Sequence, residues 1–311
     1  MIDFCGKRKL FYAFSALMLL GALLLYGQKG LNFSIEFSSG SVLRLHFDDA
    51  AVTKADLEKV LETPRFAEKF QKPSIVEIAS KDVQGQTGKE FQITSAFIME
   101  SDGETQIDKQ LVIELQKTWP SATALEFVNI GAAIGDDLKD AALISFALSV
   151  LVVLLYISFR FEFRYAVVSI IAVVHDTIIV MGIFAFTQEE FASSTIAAVL
   201  TLIGYSLNDT IIVLDRIREN TRKHRKEGMA WLVNHSINET LSRTVKTSGT
   251  TFVPVIIMFL FGGMGLHSFA MVLLVGIIIG TYSSICLAAP ILVDWKGTTE
   301  AAEEAGREAA A

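Results

Sequence analysis

Asp209 is the residue that demands most of its surroundings. In the stretch GYSLNDTIIVLDRIREN, Gly204 to Asn220, its carboxylate sits among Leu200, Leu202, Ile203, Leu207, Ile211, Ile212 and Val213. An ionised carboxylate taken out of water without a partner is costly, so such a residue must be paired, protonated or put to work. Ser206 lies three residues earlier and shares its helix face, Asn208 adjoins it, and Thr201 or Leu202 one turn back extends the same stripe. A second polar set, Arg243, Thr247, Thr250 and Pro254, is spaced i, i+4, i+7 and i+11 and again forms one face. His175 and Asp176 lie in a third apolar run; neighbours in a helix point to different faces, so the expectation is that these two do not act on one partner. The chemistry this suggests is reversible proton binding. An arginine side chain extending along its helix can reach Asp209 and hold it ionised, and an arriving proton would weaken that bond.

Plainer readings stand beside this one. An acid in a span can simply hydrogen-bond a neighbouring helix, Arg243 can simply mark the membrane boundary, and Thr247, Ser248, Thr250 and Thr251 can simply bond the carbonyls of the preceding turn. An enzyme needs a nucleophile held beside a base, whereas Ser206 and His175 fall in different apolar runs with no nucleophile motif. Cys5 and Cys286 provide neither a disulfide framework nor metal spacing. No cofactor or metal is expected, only protons.

The elements that must position these residues are membrane spans. Of 311 residues 51% are apolar and mean hydropathy is +0.45, too greasy for an ordinary soluble domain. Windows long enough to cross a bilayer are Leu10 to Tyr26, Ala142 to Phe159, Tyr165 to Phe186, Thr195 to Leu214, Thr244 to Phe261 and Ser268 to Val293. The first follows Lys7, Arg8 and Lys9 but has no small-x-small cleavage site after Tyr26, so it reads as an uncleaved anchor. Basic residues mark the cytoplasmic side. Lys7 to Lys9, Arg160 and Arg164, Arg216 to Lys226, and Lys296 all fall on one face if six spans alternate, so both termini are expected in the cytoplasm. The stretch Arg216 to Lys226 reads as a solvated helix near lipid headgroups. The net charge of −7 comes mainly from the outer segment and the Glu-rich tail, and nothing suggests nucleic acid. Gly276-Ile-Ile-Ile-Gly280 has the small-xxx-small form of close helix packing, and Pro254 should kink the fifth span.

Residues 28–137, between the first two spans, have enough pattern to fold alone. Ser41 to Phe47 alternates as a strand; Thr53-Lys-Ala-Asp56 has capping-box spacing and opens a helix through Leu57, Val60 and Leu61. Ser74 to Ala79 and Glu90 to Ser95 read as strands separated by the turn-rich Lys81 to Lys89, Ile107 to Trp119 as a helix, and Ala122 to Ile130 as a last strand. This split βαβ order predicts a ferredoxin-like α+β domain with nothing catalytic in it, His46 being an ordinary strand residue. The expected organisation is an anchor over residues 1–27, that outer domain, a five-helix membrane domain over 138–296 with a basic loop at 215–242, and a loose tail over 297–311.

SLNDTIIVLDRIREN (Ser206 to Asn220), SRTVKTSGTT (Ser242 to Thr251), IAVVHD (Ile171 to Asp176) and FGG (Phe261 to Gly263) resemble the SecF side of the SecD/SecF protein-export family, in the resistance-nodulation-division superfamily. GLNFSIEFSSGSV (Gly30 to Val42) and NIGAAIGDDL (Asn129 to Leu138) extend the likeness in the same order, from about Lys7 to Lys296. The resemblance implies a bacterial inner-membrane helper of the SecY channel that uses the proton gradient to pull preproteins outward, with residues 28–137 periplasmic. It implies as partners SecD, separate or fused, the SecY, SecE and SecG channel, YajC and the unfolded preprotein. It puts the essential membrane acid on Asp209, its coupled arginine on Arg243 and a further span acid on Asp176, with Ser206, Asn208, Thr247 and Thr250 as the supporting polar face. Two motifs depart: the family's DFxGGT reads Glu36, Phe37, Ser38, Ser39, Gly40, Ser41, and its VGPxxG reads Ile130, Gly131, Ala132, Ala133, Ile134, Gly135. A passive channel scaffold is the main rival reading; a small-molecule exporter of the superfamily would be expected to carry much larger outer insertions.

Overall fold

The structure is a computed structural model that describes residues 1–67, 69–70, 73–78, 88–96, 107–160 and 163–295. The chain divides into two compact units, residues 33–141 and residues 1–32 with Ala142 onward. The tail from Lys296, and most of the turn expected between Lys81 and Lys89, lie outside the described residues.

In residues 33–141, β2 (Gly40–Phe47), β3 (Ser74–Ile78), β4 (Lys89–Ser95) and β5 (Thr123–Ile130) form one antiparallel sheet in the order β3-β4-β2-β5. Helices α3 (Lys54–Leu61) and α5 (Ile107–Gln116) follow β2 and β4, an arrangement compatible with the ferredoxin-like expectation. The alternation of β2 sends Leu43, Leu45 and Phe47 inward, where they meet Phe91 and Ile93 of β4, Leu57 and Leu61 of α3, and Leu111 and Leu115 of α5. Each such side chain contributes about 1.5–3 kcal/mol by leaving water. The capping box forms: the Thr53 backbone N–H and hydroxyl both donate to Asp56 Oδ2, at 3.1 and 2.6 Å. Ahead of β2, the single turn α2 (Ile35–Ser38) ends on Ser39 at φ 60° and ψ 152°, a conformation that a side chain resists, followed by Gly40 at φ 147°. A Cβ on Gly40 would come 2.7 Å from the Ser95 carbonyl oxygen, so no larger residue fits there. The remaining short pieces are β1 (Asn32–Phe33), α4 (Pro64–Ala67) and β6 (Glu190–Phe191).

Among the described residues, six helices are long and apolar enough to cross a membrane. These are α1 (Arg8–Lys29), α6 (Ala132–Arg160), α7 (Phe163–Thr187), α8 (Ser193–Lys223), α9 (Met229–Phe261), and α10 (Met264–Ser283), which continues through a π turn (Ser284–Ala288) to Trp295. Helices α7, α8 and α10 bury half or more of their apolar windows and form the centre, whereas α1, α6 and α9 leave most of theirs exposed. Small residues set the close approaches. A Cβ on Gly276 would meet the Leu202 side chain, one on Gly280 would lie 3.3 Å from Ser206 Cα, and one on Gly182 would meet Ala22. The Gly276/Gly280 pair thus packs α10 onto α8. Helix α9 runs unbroken through Pro254.

Polar bonds tie the helix ends where the basic residues cluster. Arg216 donates twice to Glu239, at 2.7 and 2.8 Å, and buried Asn220 bridges Glu239 and Ser236, so α8 and α9 extend as helices well past their apolar windows. The backbone N–H groups of Phe4 and Cys5 donate to Asn234 Oδ1 at 2.8 and 3.3 Å. Arg8 and Tyr12 both bond Asp294, each at 2.9 Å.

Candidate functional site

Asp209 is 6% exposed and lies where α8, α9 and α10 meet. Its partner is the Ser248 hydroxyl, which donates to Oδ2 at 3.0 Å and also stands 2.7 Å from Thr281 Oγ1, whose own hydroxyl reaches the Ile277 carbonyl at 2.7 Å. Counting protons along this row gives it a direction. With Asp209 ionised, Thr281 donates to Ser248 and Ser248 to the carboxylate; with Asp209 protonated, every donor can turn the other way and the row ends on Ile277 O. A hydroxyl row that reverses with one proton is suited to a carboxyl group that gains and loses one. Beside it is a cavity of about 20 Å³, room for one water, with Ser206, Asp209, Thr247, Ser248 and Thr281 on its wall. The exposed Tyr205 and Asn208 also line it, so it is not sealed inside the helices.

One helix face away lies a second acid. Asp176, 1% exposed, accepts from Ser206 Oγ at 2.6 Å and Ser283 Oγ at 2.8 Å on Oδ2, while His175 Nδ1 lies 2.9 Å from Oδ1. Three partners able to donate fit an ionised carboxylate, with the ring carrying its proton on Nδ1. His175 Nε2, buried, has no hydrogen-bond partner among the described residues. The ring stands 6.4 Å from that of Tyr282, which takes part in bonds to Ser15 Oγ and Phe11 O that dock α1.

Asp209, Ser206, Asn208 and Thr247 share one cavity wall, and Ser206 bonds Asp176. Arg243 stands apart from them. Its side chain is exposed and, among the described residues, makes no ion pair with Asp209. Along α9, Arg243 precedes Ser248 by five residues, an axial rise of about 7.5 Å, and it is the Ser248 hydroxyl that meets the acid. Thr247, Thr250 and Thr251 bond backbone carbonyls of α9, as the plainer reading has it; Ser248 does not. His175 and Asp176, expected to point apart, bond each other, with Nδ1 and Oδ1 2.9 Å apart. Spacing alone gives no reason to pick out Thr281 and Ser283, although Thr281-Tyr-Ser-Ser284 interrupts an otherwise apolar run.

A family model described as "Protein export membrane protein SecD/SecF, C-terminal" matches residues 111–298, and one described as "SecD/SecF GG Motif" matches residues 27–51, which include Ser39 and Gly40. The protein translocase subunit SecF of Dictyoglomus turgidum is 35% identical, over 95% of this chain and 97% of its own length. That of Vibrio alginolyticus is 38% identical, over 93% and 88%. The crystal structure of SecDF from Thermus thermophilus, described as a translocon-associated membrane protein, superposes with a TM-score of 0.79 at 36% identity, over 95% of this chain and 39% of that one. The chain therefore spans about two fifths of the longer SecDF protein.

Proposed function

Because this chain belongs to the SecD/SecF family of protein-export membrane proteins, and is with its six apolar helices a multi-pass protein of the Sec pathway, we propose that it couples the proton gradient to preprotein export. In this reading it lies in the bacterial inner membrane with both termini cytoplasmic and residues 28–137 periplasmic. It works with SecD, as a separate chain or fused, and assists the SecY, SecE and SecG channel, with YajC and an unfolded preprotein as further partners.

The observation that carries the reading is Asp209 itself, a buried carboxylic acid held by a reversible hydroxyl row beside a cavity with room for water. Proton arrival removes the charge that Ser248 holds, reverses the row and loosens α8 from α9 and α10. Movement of one charge through the membrane potential supplies about 2.3 kcal/mol per 100 mV, and repeated cycles can drive a domain carried between α1 and α6 in the chain. Arg243 enters in another state of the cycle, after α9 has turned; in the state described here Ser248 holds the acid. No cofactor takes part, and protons are the coupling ion.

The test is gradient-driven export into inverted membrane vesicles. Asp209→Asn should abolish the gradient-dependent part while leaving the number of assembled channels unchanged. Undiminished gradient-dependent export would refute the role, and a fall in assembled channels that accounts for the whole loss would favour a passive scaffold.

A further inference from the structure

Resting on that reading of Asp209, we infer that Ser206 links Asp209 and Asp176 into one two-acid site that exchanges a single proton. Ser206 belongs to both neighbourhoods: its hydroxyl donates to Asp176 Oδ2 at 2.6 Å, and it stands on the wall of the cavity that Asp209 shares, three residues away on one face of α8. It is 2% exposed and backed by Gly280, where even an added Cβ would come 3.3 Å from the Ser206 Cα, so nothing larger than glycine fits behind it without crowding it.

A hydroxyl has one proton to give and can accept another. Transfer then balances in a single concerted step. Protonated Asp209 gives its proton to a water in the cavity, that water gives one to Ser206 Oγ, and the Ser206 proton crosses the short bond to Asp176 Oδ2. The O–H bond of Asp209 breaks, one forms on Asp176, and water and serine each lose and gain one. Afterwards Asp176 donates to Ser206, whose own proton points into the cavity toward the Asp209 carboxylate. Ser283 has somewhere to turn when Asp176 becomes neutral, since the Gly280 carbonyl is 3.2 Å away. His175 acts as a positioning residue, its Nδ1 fixing Oδ1 so that Oδ2 faces Ser206.

The other titratable groups around the pair are few. On α7 it is His175; on α8, Tyr205, which lines the same cavity as Asp209; on α10 and its π turn, Tyr282 and Cys286; on α1, Tyr12, which shares a groove with His175. The side of α9 that meets Asp209 offers Ser248, and its Arg243 and Lys246 are exposed elsewhere.

The experiment follows the protonated carboxyl bands of both acids by infrared spectroscopy across pH, with the full chain in lipid nanodiscs and the bands assigned by Asp176→Asn and Asp209→Asn. Replacing Asp176 should move the midpoint of Asp209 by an amount equal to about fivefold or more in proton affinity. In a Ser206→Ala background the same replacement should move it by less than about twofold. Simple charge repulsion survives the loss of the hydroxyl, so equal shifts in both backgrounds, or none in either, overturn the inference. If Ser206→Ala does not fold, the wild type still decides: the two bands should trade one proton over a shared range, and two independent curves refute the link. Loss of export in Asp209→Asn without coupling leaves the function standing and removes this site; coupling without loss of export does the reverse.

Discussion

Asp176 offers the sharpest test of the buried network, through a comparison of Asp176→Ala with Asp176→Asn. Both remove the charge, so whatever is gained by no longer burying a carboxylate cancels between them. Asparagine can refill every bond. Its oxygen accepts from His175 Nδ1, and its NH₂ donates to Ser206 and Ser283, each of which then turns its proton to a carbonyl of its own helix, as Ser283 already nearly does with Gly280 at 3.2 Å. Alanine can refill none. The buried ring N–H is orphaned at a cost of about 1–3 kcal/mol, and each serine forfeits a bond whose net worth is about 0.5–1.5 kcal/mol, for a total difference of about 2–6 kcal/mol. Detergent-titrated unfolding of the two variants side by side measures it. Equal stability within about 0.5 kcal/mol, the scatter of an unremarkable substitution, would show that these four side chains do not meet as described.

Ser39→Gly should relieve about 1–3 kcal/mol of backbone strain against about 0.5–1 kcal/mol of added chain entropy, so native-state proteolysis of residues 33–141 should slow; faster cleavage refutes it. Gly182→Ala should destabilise the α1–α7 contact by about 1–3 kcal/mol, and Ala22→Gly should recover most of that in the double variant; additive losses would mean that the two residues do not touch. Burial pushes the Cys5 thiol up to about 11, so maleimide labelling near neutral pH should be slow, and Asn234→Ala, which frees the backbone of Phe4 and Cys5, should speed it about tenfold. Bonds from the Thr53 hydroxyl and backbone N–H hold the Asp56 carboxyl below its ordinary range. Its stabilising effect on α3 is therefore complete above about pH 4 and lost as pH falls through the lowered value, which hydrogen exchange at Lys54 to Leu57, corrected for intrinsic rates, should show and Asp56→Asn should abolish.

The six spans were legible because little besides a lipid-crossing helix uses apolar windows of bilayer length, and the first long strand of residues 33–141 because Leu43, Leu45 and Phe47 keep a period that only a half-buried sheet uses. Thr53 and Asp56 announced a helix start with nothing but local spacing. Local spacing fails where side chains of different helices converge. Which of Arg243 and Ser248 meets Asp209 depends on how α9 is set against α8, and the spacing of polar residues within α9 does not fix that. A helical wheel likewise separates His175 from Asp176, yet their terminal atoms approach to 2.9 Å because the wheel records Cβ directions and not the reach beyond them. Ser283 contributes from a run so apolar that its four consecutive polar residues give no hint of which side chains they meet.

The π turn at Ser284–Ala288 begins one residue after the hydroxyl that grips Asp176 and ends six before Asp294, which anchors Arg8 and Tyr12. Such a turn carries one residue more than the regular coil on either side, slack that can be taken up or let out without severing the rod. Helix α10 is therefore jointed between two moorings on the first span, Tyr282 before the turn and Asp294 beyond it.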